Sequence, residues 1–157
     1  MLQCKVKYFN KDLPLLEKSP LGWIDLYAGQ DIVMKVGDYM AIPLNVAIEL
    51  PKGYEAIVAP RSSTFKNYGL IMTNSIGVID HSYMGDGDQW HFPAYKLSNG
   101  KTDSITVEGE KASFIKKGTR ICQFKIVPEM DKDEPVELLW VESLGNDNRG
   151  GLGSTGI

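Results

Sequence analysis

Proline or glycine interrupts this chain every few residues, and that punctuation limits each regular element to a short length. The apolar segments between the interruptions are brief and rich in β-branched residues. Examples are Met40-Ala41-Ile42-Pro43-Leu44-Asn45-Val46-Ala47-Ile48, Glu55-Ala56-Ile57-Val58-Ala59, Leu70-Ile71-Met72-Thr73 and Arg120-Ile121-Cys122-Gln123-Phe124-Lys125-Ile126-Val127. Pro43, Pro51, Pro60, Pro93 and Pro128, with glycines at 37, 53, 69, 77, 85 and 118, break any longer helical period between them. The pattern predicts an all-β sandwich or barrel. One helix fits, beginning at Ser62-Ser63-Thr64, whose hydroxyls suit an N-cap.

With 157 residues and 43% of them apolar, the chain has the length and core of one domain. No run approaches the roughly 18 to 20 apolar residues needed to cross a membrane. The start, Met1-Leu2-Gln3-Cys4-Lys5, lacks a signal-peptide core, so a cytoplasmic location is expected. Cys4 and Cys122 cannot make a disulfide framework, and Cys122, in an apolar run, is expected to be a buried free thiol. A net charge of −3 offers no electrostatic footprint for nucleic acid or an anionic membrane. Any phosphate-bearing ligand must be met by a few placed groups.

Residues 98–113 are polar and turn-rich; they read as a hairpin insertion without chemistry of its own. From Leu144 the composition shifts to Gly and Asn, which cannot build a core. The expected division is a β-barrel domain over 1–144 and a flexible Gly-rich tail over 145–157.

Several familiar chemistries are absent. His81 and His91 have no metal-ligand spacing with a cysteine or with each other, and there is no Gly-Lys-Ser or Gly-Lys-Thr of a Walker loop. Gly151-Leu152-Gly153-Ser154-Thr155-Gly156 matches G-x-G-x-x-G in form only, because just Ile157 follows where a helix must begin.

Four local patterns remain. Arg61-Ser62-Ser63 after an apolar run is either a capped helix with a surface arginine or an anion site. Gly77-Val78-Ile79-Asp80-His81-Ser82-Tyr83-Met84-Gly85 is either an ordinary turn or a hairpin enclosing a small planar ligand. Asn148-Arg149-Gly150-Gly151-Leu152-Gly153-Ser154-Thr155-Gly156 is either a disordered tail or a phosphate-wrapping flap. Asp25, isolated within Gly22-Trp23-Ile24-Asp25-Leu26-Tyr27-Ala28, is either a buried hydrogen-bonded acid or a functional one.

In order, these stretches resemble the five motifs of the trimeric dUTP pyrophosphatase (dUTPase) family. They are Leu21-Gly22-Trp23-Ile24-Asp25-Leu26-Tyr27-Ala28; Pro60-Arg61-Ser62-Ser63; Asn74 through Gly85; Lys117-Gly118-Thr119-Arg120-Ile121-Cys122-Gln123; and Arg149 through Gly156. The resemblance implies a distorted jelly-roll β-barrel, a homotrimer with active sites at subunit interfaces, and hydrolysis of dUTP to dUMP and pyrophosphate with Mg²⁺. On this pattern Asp80 directs water at the α-phosphorus. Arg61, Ser62, Ser63 and Gln123 hold the α- and β-phosphates, and Arg149, Gly153, Ser154 and Thr155 clamp the γ-phosphate. Asn74 and the backbone of Gly77, Val78 and Ile79 read the uracil edge, and Tyr83 lies against the deoxyribose. Asp25 reaches the metal through water, with the substrate phosphates as direct ligands.

The chain departs from the family pattern at three places. Leu152 replaces a frequent stacking Phe, Trp23 and Ile24 replace small residues, and Asp86-Gly87-Asp88-Gln89-Trp90-His91-Phe92-Pro93 is longer and more aromatic than usual. The last feature resembles a subgroup from Gram-positive bacteria and their phages. It makes Trp90, His91 and Phe92 candidates for a substitute uracil lid, with Trp90 and Phe92 on one strand face and His91 on the other. Two rivals share the scaffold: a dCTP deaminase-like enzyme and a non-catalytic nucleotide-binding module. The deaminases use a Glu in the hairpin region, and no Glu occurs between Glu55 and Glu108.

Overall fold

A computed structural model describes residues 1–151. The all-β expectation holds: twelve strands and a single short helix form four small sheets around one core. In chain order the strands are β1 (Lys5–Tyr8), β2 (Ile24–Tyr27), β3 (Ile32–Lys35), β4 (Tyr39–Pro43), β5 (Val46–Glu49) and β6 (Tyr54–Pro60). The helix α1 (Thr64–Tyr68) intervenes, followed by β7 (Leu70–Met72), β8 (Gly77–Ile79), β9 (His91–Lys96), β10 (Ile105–Val107), β11 (Glu110–Ile115) and β12 (Arg120–Pro128). The sheets run β1-β5, β10-β11-β3, β2-β12-β6-β8 and β4-β9-β7, and the sequential pairings within them are antiparallel. They wrap the core in the manner of a jelly roll without closing into one hydrogen-bonded cylinder. Among the described residues no helix is long and apolar enough to cross a membrane.

Alternation along the strands decides what is buried. In β9, Phe92, Ala94 and Lys96 point inward while His91 faces out. Trp90, 1% exposed, meets Phe124 edge-to-face with ring centroids 5.1 Å apart, alongside Leu26, Ile42, Ile48, Val58 and Ile121. Burying each of these large side chains contributes roughly 1.5 to 3 kcal/mol. Cys122 is a buried free thiol, as expected, and burial raises its pKa.

The segment 98–113 forms the expected hairpin, β10 against β11, but it is built into the core and not merely added to it. Strand β11 pairs with β3, and Ala112 and Ser113 are fully buried. The loop before it grips the C-terminal end of α1: Lys101 N–H donates to Lys66 O (2.9 Å), and Thr102 Oγ1 donates to Asn67 O (2.7 Å). The buried Lys96 ammonium donates to Tyr68 O (2.8 Å), Ser113 Oγ (2.7 Å) and Asp103 Oδ1 (3.1 Å). Gly69, at φ 65°, ends the helix; a Cβ there would stand 1.8 Å from Ser98 O, so only glycine fits. These bonds satisfy carbonyls that so short a helix leaves unpaired.

Strand β12 stops at Pro128, and every residue from Met130 to Gly151 is exposed on the single chain.

Candidate active site

The strand order β2-β12-β6-β8 positions the candidate residues as two groups. The first group gathers where β2, β12 and α1 meet. Asp25 on β2 is directly opposite Gln123 on β12, which in turn is opposite Ala59 on β6. A bulge between Arg120 and Cys122 breaks the alternation of β12, so Ile121 and Cys122 are both buried and Arg120 is turned outward. Asp25 Oδ1 lies 3.0 Å from Arg61 Nε, and its Oδ2 lies 3.7 Å from Arg120 Nε. Gln123 Nε2 donates to Pro60 O (3.1 Å). Two guanidinium groups thus face one half-buried carboxylate. Arg120 had been seen only as part of a motif; the bulge that aims it was not legible from residue types.

The helix start differs in detail from the expected cap. Ser63 occupies the N-cap position but makes no side-chain capping bond. Thr64 does the local work: its Oγ1 accepts from Arg61 N–H (3.1 Å) and donates to Ile121 O (2.8 Å). The Ser63 hydroxyl is therefore not committed to the cap, and Ser62 is exposed.

The second group lines a cavity of about 370 Å³ beside β8. Asn74, Gly77, Val78, Ile79, Asp80 and Tyr83 all line it. Gly77 lets β8 approach β6, since a Cβ would stand 3.2 Å from Val58 Cβ. Asp80 is exposed at the end of this edge strand. Its Oδ1 accepts the Ser82 N–H at 2.7 Å and also the Ser82 hydroxyl. That hydroxyl chiefly, and then the N–H, hold the carboxyl below the usual aspartate range. Tyr83 donates its hydroxyl to Gln89 O (3.1 Å), which fixes the ring at the cavity rim.

Val58, Met72, Gln89 and Pro93 also line the cavity and were not foreseen. Val58, Met72 and Pro93 come from strands β6, β7 and β9, whose alternation could have flagged them once register was known, whereas Gln89 lies in the loop before β9. Of the three lid candidates, Phe92 (0% exposed) and Trp90 (1%) are core residues and cannot move over a ligand without unpacking. Trp90 forms part of the cavity wall; His91, exposed on the opposite strand face, also lines the cavity. Arg149 is exposed in chain without regular structure, while Leu152, Gly153, Ser154 and Thr155 lie outside the described residues.

The two groups stand at opposite ends of β6. Ile79 pairs with Ala56, so Asp80 is next to Glu55, while Arg61 follows Pro60 at the far end. The six residue steps from Glu55 to Arg61 span about 20 Å of extended chain. Within one chain, Asp80 and Arg61 therefore do not meet.

A dUTPase family model matches residues 13–156. The chain is 49% identical over 156 residues to the SPbeta prophage-derived deoxyuridine 5'-triphosphate nucleotidohydrolase of Bacillus subtilis, covering 99% of each. It is 34% identical over 157 residues to a deoxyuridine 5'-triphosphate nucleotidohydrolase of Hydrogenobaculum, covering 97% of this chain and 96% of the relative. Among solved structures, the Staphylococcus bacteriophage 80alpha dUTPase with dUPNHPP aligns with TM-score 0.73 at 22% identity, over 99% of both chains. A mutant dUTPase from phage phi11 of S. aureus, described with a structural Mg(II) ion, aligns with TM-score 0.69 at 20% identity, over 90% of this chain and 98% of that one.

Proposed function

The chain belongs to the dUTPase family and is a dUTP nucleotidohydrolase, and we propose that it cleaves dUTP to dUMP and pyrophosphate in a site completed between neighbouring copies. The observation that carries this reading is the split of the site residues. Asp80 with the nucleoside cavity lies at one end of β6, and Arg61 with Gln123 at the other. Both belong to one reaction only if Asp80 of one copy faces Arg61, Ser62, Ser63 and Gln123 of the next.

A homotrimer closed around one axis repeats that contact three times. The exposed segment after β12 supports such an assembly. Leu138 is 92% and Trp140 83% exposed on the single chain, alongside Leu139, Val141 and Leu144. Apolar side chains in that number call for cover from another copy. Beyond them, Arg149 with Gly153, Ser154 and Thr155 closes over the γ-phosphate as a flap, so residues 145–157 act apart from the barrel.

In the cavity, Asn74 and the backbone of Gly77, Val78 and Ile79 pair with the uracil edge. Tyr83 backs the deoxyribose, where a 2′-hydroxyl would clash and lose its water. His91, not Trp90 or Phe92, is the residue free to cover the base, together with Leu152 of the flap. Asp80, ionised and aimed by Ser82, orients and deprotonates the attacking water. Its carboxyl is a weak base, so its contribution lies in positioning, with the arginines stabilising charge on the phosphates.

Among the described residues no cluster of three acidic, His or Cys side chains gathers into a metal centre. The single carboxylate of Asp25 beside Arg61 fits an outer position instead, reached through water, with the triphosphate oxygens as direct ligands to Mg²⁺. When bound, the ion neutralises charge on the triphosphate. The deaminase and non-catalytic alternatives are not favoured.

The reading is tested by pyrophosphate release from dUTP, dTTP, dCTP and UTP, with and without Mg²⁺. Strong preference for dUTP is expected. Asp80→Asn should cut turnover roughly 10²-fold or more while dUTP affinity stays within a few fold. Ammonia from dCTP, or near-normal turnover by Asp80→Asn, would contradict it.

A further inference from the structure

His81 follows Asp80 directly, and the reaction as described gives it no part. The loop that carries both residues leaves β8, a three-residue strand that among the described residues pairs only with β6. The Ser82 contacts that aim the Asp80 carboxylate are local, made within the same turn. They orient the carboxylate relative to the loop but do not fix the loop to the barrel. The Tyr83–Gln89 bond holds the loop farther along, and a contact next to Asp80 adds a tether where the carboxylate stands.

His81 makes that tether. Its Nδ1 is hydrogen-bonded to Glu129 Oε1, 48 residues away in sequence. The sheet order explains how they meet. Ala56 on β6 pairs with Ile79 of β8 on one side and with Ile126 of β12 on the other. Continuing both ladders brings His81 level with Tyr54 and with the end of β12, where Glu129 follows Pro128. Two strand spacings, about 10 Å, separate the outer backbones, and an imidazole and a glutamate side chain together span that gap.

The Glu129 end is itself anchored. Its N–H donates to Gly53 O (2.9 Å), and its carbonyl accepts from Lys132 N–H (3.1 Å). Lys132 lies over the Tyr54 ring, 5.0 Å from its centroid. The pair borders a surface cavity shared with Lys52, Asp131 and Lys132, and both side chains are only partly buried, 43% and 28% exposed. A partly exposed pair adds little to global stability. Its effect is local: it closes a bridge over the end of β6 from the Asp80 loop to the residue at which the exposed C-terminal segment begins.

We propose that His81 is a positioning residue for the hydrolysis, holding the Asp80 loop against Glu129 so that the carboxylate meets the phosphorus site of a neighbouring copy. This rests on Asp80 being the base. Small displacements of a reacting group lower turnover steeply, by up to roughly 10²-fold for 1 Å.

The test measures kcat and KM for dUTP in the full-length protein carrying His81→Ala, Glu129→Ala, both together, and His81→Asn, with melting temperature and oligomer mass followed in each. Asn places an N–H donor where Nδ1 stands. Each alanine variant is expected to lose kcat about 10-fold with KM unchanged within about twofold, at unchanged melting temperature and mass. The double variant should be no worse than either single one, and His81→Asn should recover most of the turnover. Adding His81→Ala to Asp80→Asn should change nothing further.

Wild-type kcat in both alanine variants overturns the latch, as does a further full loss in the Asp80→Asn background. A loss of kcat that merely tracks a lower melting temperature or a dissociated oligomer overturns it too. Near-normal turnover in Asp80→Asn alone sinks the assignment of the base, and the latch with it. That result is distinct from an active His81→Ala beside an inactive Asp80→Asn, which removes the latch and leaves the base.

Discussion

The Asp80 carboxylate is held mainly by one neighbour, Ser82, which gives it both a hydroxyl and an N–H. Those donors favour the charged form and keep its pKa below that of an ordinary aspartate. Because the native value is depressed, the charged form persists as pH falls and is lost only below the usual carboxylate range. Ser82→Ala removes the largest cause. The Asp80 carboxyl should then titrate at higher pH, back toward the ordinary aspartate range, as followed by carbon NMR of that side chain, and the acid limb of the rate profile should move in the same direction. An unchanged titration would show that the Ser82 hydroxyl does not set it. The lid divides the same way, by side-chain contacts. Trp90 and Phe92 were attractive in sequence because they are aromatic and follow the hairpin, but the β9 alternation buries Phe92 and packs Trp90 on Phe124. His91→Ala should raise KM for dUTP severalfold at unchanged melting temperature; an unchanged KM would remove His91 as a cover.

At the scale of elements, the legible parts were those set by local pattern. Short β-branched runs between prolines gave strands, and the helix was expected near its true start, two residues beyond Ser62. Long-range contacts were not legible. The polar, turn-rich segment 98–113 reads as a hairpin insertion, and nothing local reveals that its first residues cap α1, nor that Lys96 is buried at 0% exposure against Asp103 and Ser113. The segment matters for the site because α1 begins beside Arg61, so whatever holds its far end also steadies the cluster of Arg61, Asp25 and Gln123. The tail reads differently now that β12 is seen to stop at Pro128. Residues 133–144 carry the exposed apolar side chains, whereas 145–157 carry Gly, Arg149 and the hydroxyls. Deleting 146–157 should leave melting temperature and oligomer mass nearly unchanged but remove most dUTP turnover. Dissociation on that deletion would mean that the last residues hold copies together.

On the scale of the whole molecule, the five motif stretches identified the family, but how they combine depends on register. Sequence order places Arg61 and Asp80 close together, separated by one helix and two short strands. The ladders put them at opposite ends of β6 instead, about 20 Å apart. The cavity lined by Asn74, Asp80 and Tyr83 and the cluster of Asp25, Arg61 and Gln123 are both present on each chain, yet they lie at opposite ends of β6. The account therefore stands or falls on whether the site is shared between copies. Mixing two inactive variants measures this directly: Asp80→Asn and Arg61→Ala are unfolded together, refolded at equal ratio, and assayed for dUTP hydrolysis. A shared site predicts recovery of about a quarter of wild-type turnover, because about one interface in four then joins an intact Asp80 to an intact Arg61. If both residues served the same site within one chain, no mixture would contain a complete site, and activity no higher than that of the separate variants would contradict the account.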